Sequence, residues 1–160
     1  VQQIASIHGL GESTAVKLKA ALALGLRLCE PREERPVVQS PADAAALVQH
    51  EMSLLEQEYL KVIVLNTRNH VLDIVEITHG SVNSSQIRIS EVLRPAVERN
   101  APAIIAVHNH PSNDPMPSPE DIKITKAIRE AGKLMDIELL DHLIICKNSY
   151  ISLKEKRLGF

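Results

Sequence analysis

Apolar residues recur along this chain with two periods, and the switches between them predict its elements. Ala- and Leu-rich spacing over residues 13–28 predicts a helix. Ser40 can cap a second helix that has Pro41 as its first residue and runs toward His50. A further helical stretch is expected over residues 52–57. Tyr59–Leu65 and residues 71–78 read as strands on either side of a turn at residues 66–69, which makes a hairpin. Gly80 opens a loop, and residues 90–99 read as a helix in spite of Pro95. The run Ala103-Ile104-Ile105-Ala106-Val107 is a buried strand ending near His108. Helical spacing returns after Pro119 through Ile124, Ile128, Ala131 and Met135. Residues 137–146 form a last long strand, with a short extension around Tyr150–Ser152. The order β-β-α-β-α-β implies an α/β fold: a mixed β-sheet with flanking helices, preceded by a small helical segment.

Three zones follow: a helical segment over residues 1–29, a linker over 30–39, and one domain over 40–160. The linker reading rests on Glu30-Pro31-Arg32-Glu33-Glu34-Arg35-Pro36, charged, bracketed by prolines and without periodicity. With 44% hydrophobic and 24% charged residues, the 160-residue chain has the composition of a folded domain. Aromatics make up 2% and Trp is absent, so the core must be aliphatic and a base-stacking platform is disfavoured. A net charge of −2 argues against a strongly electrostatic nucleic-acid binder. Two cysteines without a Cys-x-x-Cys indicate neither a disulfide framework nor a cysteine zinc site, which fits a reducing compartment. No apolar run approaches membrane-spanning length and no signal peptide is visible, so a cytoplasmic location is expected. The opening Val1 in place of Met is consistent with a piece of a longer protein.

The candidate chemistry is concentrated between His108 and Asp121. A zinc ion that performs hydrolysis takes three N or O protein ligands and leaves one position for water. His108, His110 and Asp121 supply that set. Side chains alternate along a strand, so the two histidines face the same way if the extended backbone continues. Pro111 favours extension at His110 and helps to stop the element. Ser118 suits the position before a helix starting at Pro119, which places Asp121 in the first turn. The same Ser-x-x-Asp pattern is also an ordinary N-terminal cap, and the sequence alone leaves both readings open.

The spacing His108-x-His110, seven residues, Ser118, two residues, Asp121 resembles the motif of the JAMM (MPN+) metalloproteases. Three runs are similar to the bacterial RadC-type branch: Ala106-Val107-His108-Asn109-His110-Pro111-Ser112, Pro115-Met116-Pro117-Ser118-Pro119-Glu120-Asp121, and Leu139-Leu140-Asp141-His142. That branch usually carries Gly where this chain has Asn113, and His-Pro-Arg-Glu near Arg88-Ile89-Ser90-Glu91. Neither departure touches a ligand position. The resemblance implies a JAMM/MPN, cytidine-deaminase-like fold and a zinc-dependent hydrolase of a peptide or isopeptide amide. It implies zinc on His108, His110 and Asp121, with Ser118 donating a hydrogen bond to the oxyanion. Glu58, just before the strand Tyr59–Leu65, stands where the family has its general base, and Glu56 is the nearby competitor. Asp141 and His142 face opposite sides of their strand, so both cannot enter one site. A supporting or core role is expected for each.

Ile7-His8-Gly9-Leu10-Gly11 before the first helix resembles the hairpin of a helix-hairpin-helix module, truncated because only residues 1–7 remain for its first helix. Such a turn offers main-chain N–H groups to a DNA phosphate. Lys17, Lys19 and Arg27 against Glu12 and Glu30 leave +1, so any DNA contact through Gly9, Leu10 and Gly11 should be weak. A DNA-binding protein linked to repair, with a structural or silent metal site, is the alternative function. A nuclease would want more carboxylates, and a zinc deaminase would need His-x-Glu and Pro-Cys-x-x-Cys, which are absent.

Overall fold

The computed structural model describes residues 11–29, 35–79 and 87–160. The chain divides into two compact units, Val1–Glu34 and Arg35–Phe160. In the first, α1 (Glu12–Cys29) opens with the Ala15 N–H donating to the Gly11 carbonyl at 3.0 Å. The expected first helix and the Gly9-Leu10 part of the glycine turn lie outside the described residues.

The second unit begins with the later part of the expected linker, which is tied to the hairpin rather than free. Val38 N–H donates to the Asn69 carbonyl and Val71 N–H to the Pro36 carbonyl, both at 2.9 Å, and Val38 is buried. Next comes α2 (Pro41–Met52), capped by Ser40 with Asp43 returning the bond to the Ser40 N–H. The helix expected over residues 52–57 does not form. Ser53 ends α2 by donating to Gln49 and Glu51 carbonyls, and the segment that follows is turn and bend. The strands β1 (Tyr59–Leu65) and β2 (Val71–His79) make the hairpin, followed by α3 (Ile89–Glu98), β3 (Ala103–Asn109), α4 (Pro119–Leu134), β4 (Glu138–Ile145) and β5 (Tyr150–Ser152).

The sheet order is β2-β1-β3-β4-β5. Only β3 and β4 are parallel; β1 is antiparallel to both of its neighbours, and β5 to β4. Alternation along the strands sorts the core into two layers. Leu60, Val62, Val64, Ile104 and Ala106 pack with Val92, Leu93 and Ala96 of α3 and Ile124 and Ile128 of α4. Ile63, Leu65, Ile105, Val107, Leu143 and Ile145 pack with Ala44, Ala45, Val48 and Met52 of α2. Helices therefore cover both faces of a mixed sheet. Gly132 lets α4 close onto β4: a Cβ there would lie 2.4 Å from the Ile137 carbonyl oxygen, a separation no side chain tolerates.

Among the described residues, no helix is long and apolar enough to cross a membrane.

Candidate metal centre

The centre lies where β3 runs out of apolar residues. His108 follows Val107 in an unbroken strand, pairs with Leu60 on one side and Ile144 on the other, and is 1% exposed. His110 N–H donates to the Ile145 carbonyl at 2.9 Å, which carries the extended backbone one step beyond β3. His108 and His110 thus share a face, and their Nε2 atoms stand 3.0 Å apart. After Pro111 the chain turns back, with Asn113 N–H on the His110 carbonyl. Asn113 sits at φ 60, the left-handed region that favours glycine and next tolerates asparagine. That accounts for Asn at a position where the resembling sequences have Gly. Its Oδ1 also accepts the Lys147 N–H at 2.9 Å.

The loop delivers Ser118 to the start of α4, where the capping reading of Ser-x-x-Asp holds and leaves the carboxylate beside the histidines. Ser118 Oγ accepts the Asp121 N–H at 3.1 Å, while Ser118 N–H and Oγ–H both donate to Asp121 Oδ2 at 2.7 Å. The cap aims the carboxylate back at the strand end. Asp121 Oδ1 lies 3.4 Å from His108 Nε2, and Oδ2 lies 3.6 Å from His110 Nε2. His108, His110 and Asp121 bring one ligand atom each within 4.8 Å of one another, the one such group among the described residues.

Hydrogen bonding fixes what these atoms offer. His110 Nδ1 is 2.7 Å from the Asp114 carbonyl, which can only accept, so Nδ1 carries the proton and Nε2 keeps its lone pair. Burial opposes the charge on Asp121, but the nearby His108 and His110 rings and the hydrogen bonds from Ser118 outweigh it and hold the carboxyl far below the ordinary carboxylate range. The Asp121 carboxylate beside it raises the His110 pKa above 6.5 against the effect of burial. An anionic carboxylate and imidazole nitrogens converging on one point form a donor set that a borderline cation such as zinc suits. The residues therefore fit a metal.

Glu58 is half-buried, two residues before Leu60, the register partner of His108. Its charge helps to raise the His110 pKa, so it stands close to the centre. Glu56 is exposed and lines a cavity of about 420 Å³ beside His110, with Met52, Leu55, Ile145 and Cys146 among its walls.

Three residues with no assigned role in the sequence motif complete the surroundings. Asn109, 1% exposed, grips the chain on both sides of Glu58: its Oδ1 accepts the Tyr59 N–H at 2.8 Å and its Nδ2 donates to the Gln57 carbonyl at 2.9 Å. His142 Nε2 lies 2.9 Å from His108 Nδ1, and Thr125 Oγ1 lies 2.6 Å from His142 Nδ1. Burial pushes the His142 pKa well below 6.5, so the ring is neutral. Asp141 faces away from the centre, accepting from Ser152 Oγ at 2.6 Å. The Leu139-Leu140-Asp141-His142 run singles out His142 in the sequence, with a supporting or core role expected, whereas the sequence assigns no role to Thr125 or Asn109.

Comparison with known proteins agrees with this geometry. The chain is 51% identical to a UPF0758 protein of Chloroflexus aurantiacus over 160 residues, 99% of this chain and 70% of that protein. It is 47% identical to a UPF0758 protein of Desulfitobacterium hafniense, covering 98% of this chain and 69% of the relative. A UPF0758 protein of Shouchella clausii is 44% identical, covering 98% and 68%. Residues 38–158, which include every strand and all of the centre, match the RadC-like JAB domain, and the chain belongs to that family.

Proposed function

We propose that the Arg35–Phe160 unit is a zinc-dependent hydrolase of the JAMM type, which cleaves a peptide or isopeptide amide. One observation carries the reading: three electron-pair donors, Asp121 and the Nε2 atoms of His108 and His110, converge within 4.8 Å, and the described residues add no fourth side chain to the group. A structural zinc site closes its coordination with protein ligands, whereas a hydrolytic one keeps a position open. A zinc ion bound there supplies a water of pKa near 7 and a Lewis acid for the carbonyl oxygen.

The chain's own residues do the rest. Glu58 takes a proton from the attacking water and returns it to the leaving amine nitrogen, a task for a half-buried carboxylate. The Ser118 hydroxyl, now donating to Asp121 Oδ2, turns its proton to the oxyanion as charge develops there.

The test pairs elemental analysis with an unbiased screen of amide substrates. About one zinc per chain and metal-dependent turnover are expected. No zinc after reconstitution, or undiminished zinc in His108→Ala/His110→Ala, would overturn the reading.

A further inference from the structure

We propose that Thr125 and His142 are positioning residues that lock His108 into the tautomer able to bind a metal. The inference rests on the metal reading above and deepens it. It is carried by a directed chain of hydrogen bonds, each link leaving one choice for the next.

The chain starts at a carbonyl. Thr125 Oγ1 lies 2.6 Å from the main-chain oxygen of Asp121, which has lone pairs only. The single hydroxyl proton must point there, because two oxygens at that distance with no proton between them repel. Thr125 Oγ1 is then an acceptor toward His142 Nδ1, 2.6 Å away, and that nitrogen carries the proton of a neutral, fully buried ring. His142 Nε2 is left with a lone pair facing His108 Nδ1 at 2.9 Å. His108 therefore holds its proton on Nδ1 and turns a bare Nε2 toward His110 and Asp121. Reversing any link propagates: a proton on His142 Nε2 would sit against His108 Nδ1 and force the His108 proton onto Nε2, where it blocks a cation.

Packing keeps the start of the chain in place. Thr125 is fully buried, and a Cβ on Gly159 would lie 3.0 Å from both Cβ and Cγ2 of Thr125. The backbone at Gly159, with φ 82, therefore lies tightly on the threonine and leaves it little rotamer freedom. Both metal-facing histidines are thus set from behind, His110 by the Asp114 carbonyl and His108 by a relay that begins on the carbonyl of the third ligand. Partners of this kind typically govern metal affinity by about 10- to 100-fold.

Two substitutions separate this role from simple packing. Thr125→Val keeps the shape and loses the hydroxyl; Thr125→Ser keeps the hydroxyl and loses the methyl. With zinc affinity measured by competition with a chromophoric chelator, Thr125→Val should bind about 10-fold or more weakly, and Thr125→Ser should stay close to the unaltered protein. The reverse order would assign Thr125 to packing and overturn the proposal. A second readout needs no metal: nitrogen-15 NMR of the zinc-free protein should show His108 protonated at Nδ1, with a shift toward the Nε2 form in Thr125→Val. A zinc-free protein with His108 protonated at Nε2 would sink the lock even if zinc binds. Correct tautomers in a protein that never takes zinc would instead fault the metal reading and leave the lock standing.

Discussion

The Asn109 carboxamide reaches from the end of β3 to the main-chain N–H of Tyr59, 2.8 Å away, while its other end holds the Gln57 carbonyl. Glu58 is clamped between these two bonds. Asn109→Ala strips partners from two main-chain groups at the sheet end, which should cost about 1–3 kcal/mol of stability. Because the clamp sets the backbone on both sides of the base, turnover should fall at least about tenfold with zinc content unchanged. Denaturant unfolding, zinc analysis and kcat on one preparation give the answer; full turnover with reduced stability would make Asn109 a structural residue only.

Glu58→Gln should retain zinc and lose hydrolysis, by about 10²-fold or more, since Glu58 is assigned as a base and not as a ligand. Glu56→Gln is the control. Glu56 is exposed, and its removal should leave turnover close to that of the unaltered protein. If the Glu56 variant is dead and the Glu58 variant active, the two roles are exchanged.

Zinc-free protein should be most stable near pH 6.5, with opposite histidines causing the decline on each side. His142 has a lowered folded pKa through burial, so stability present above its unfolded value of 6.5 is lost as pH falls toward the folded value. His110 has a raised folded pKa through the Asp121 carboxylate beside it, so stability present below 6.5 is lost as pH rises through the folded value. Thermal melts across this range check both signs. Asp121→Asn should flatten the alkaline side, and zinc should replace the decline there with a gain because it takes the place of the His110 proton.

The N-terminal segment should bind duplex DNA weakly and with a shallow salt dependence, since over residues 1–30 three cationic side chains stand against two acidic ones. Only Gly11 of the proposed Gly9-Leu10-Gly11 contact lies among the described residues. A steep salt titration with tight binding would raise DNA to the principal partner.

The sequence made the sheet and the candidate ligands legible for the same reason: both are written in short-range spacing. Alternation through Ala103–Asn109 places His108 and His110 together, and Ser118, Pro119 and Asp121 announce a helix start. The segment after Met52 continues an apolar pattern through Leu54 and Leu55 without being helical, because the helix has already closed on Ser53 and Leu54 is 69% exposed. Asn109, Thr125 and His142 were beyond reach as a network. Their partners lie 52, 17 and 34 residues away along the chain, and only the folded sheet brings them into contact.

Asp121 serves the helix and the centre with one carboxylate, Oδ2 in the cap and Oδ1 turned to His108. The histidines carry no such second duty toward the main chain of α4. Losing the cap costs about 0.5–2 kcal/mol, a large share of the margin by which a domain stays folded. Decay of this centre over evolution should therefore have an order: a lineage released from the chemistry can shed either histidine early, yet stays bound to Ser and Asp at the helix start by the need to fold. In descendants of such a domain, a persistent Ser-x-x-Asp is a fossil of architecture, and the histidine pair is the better witness to a living site.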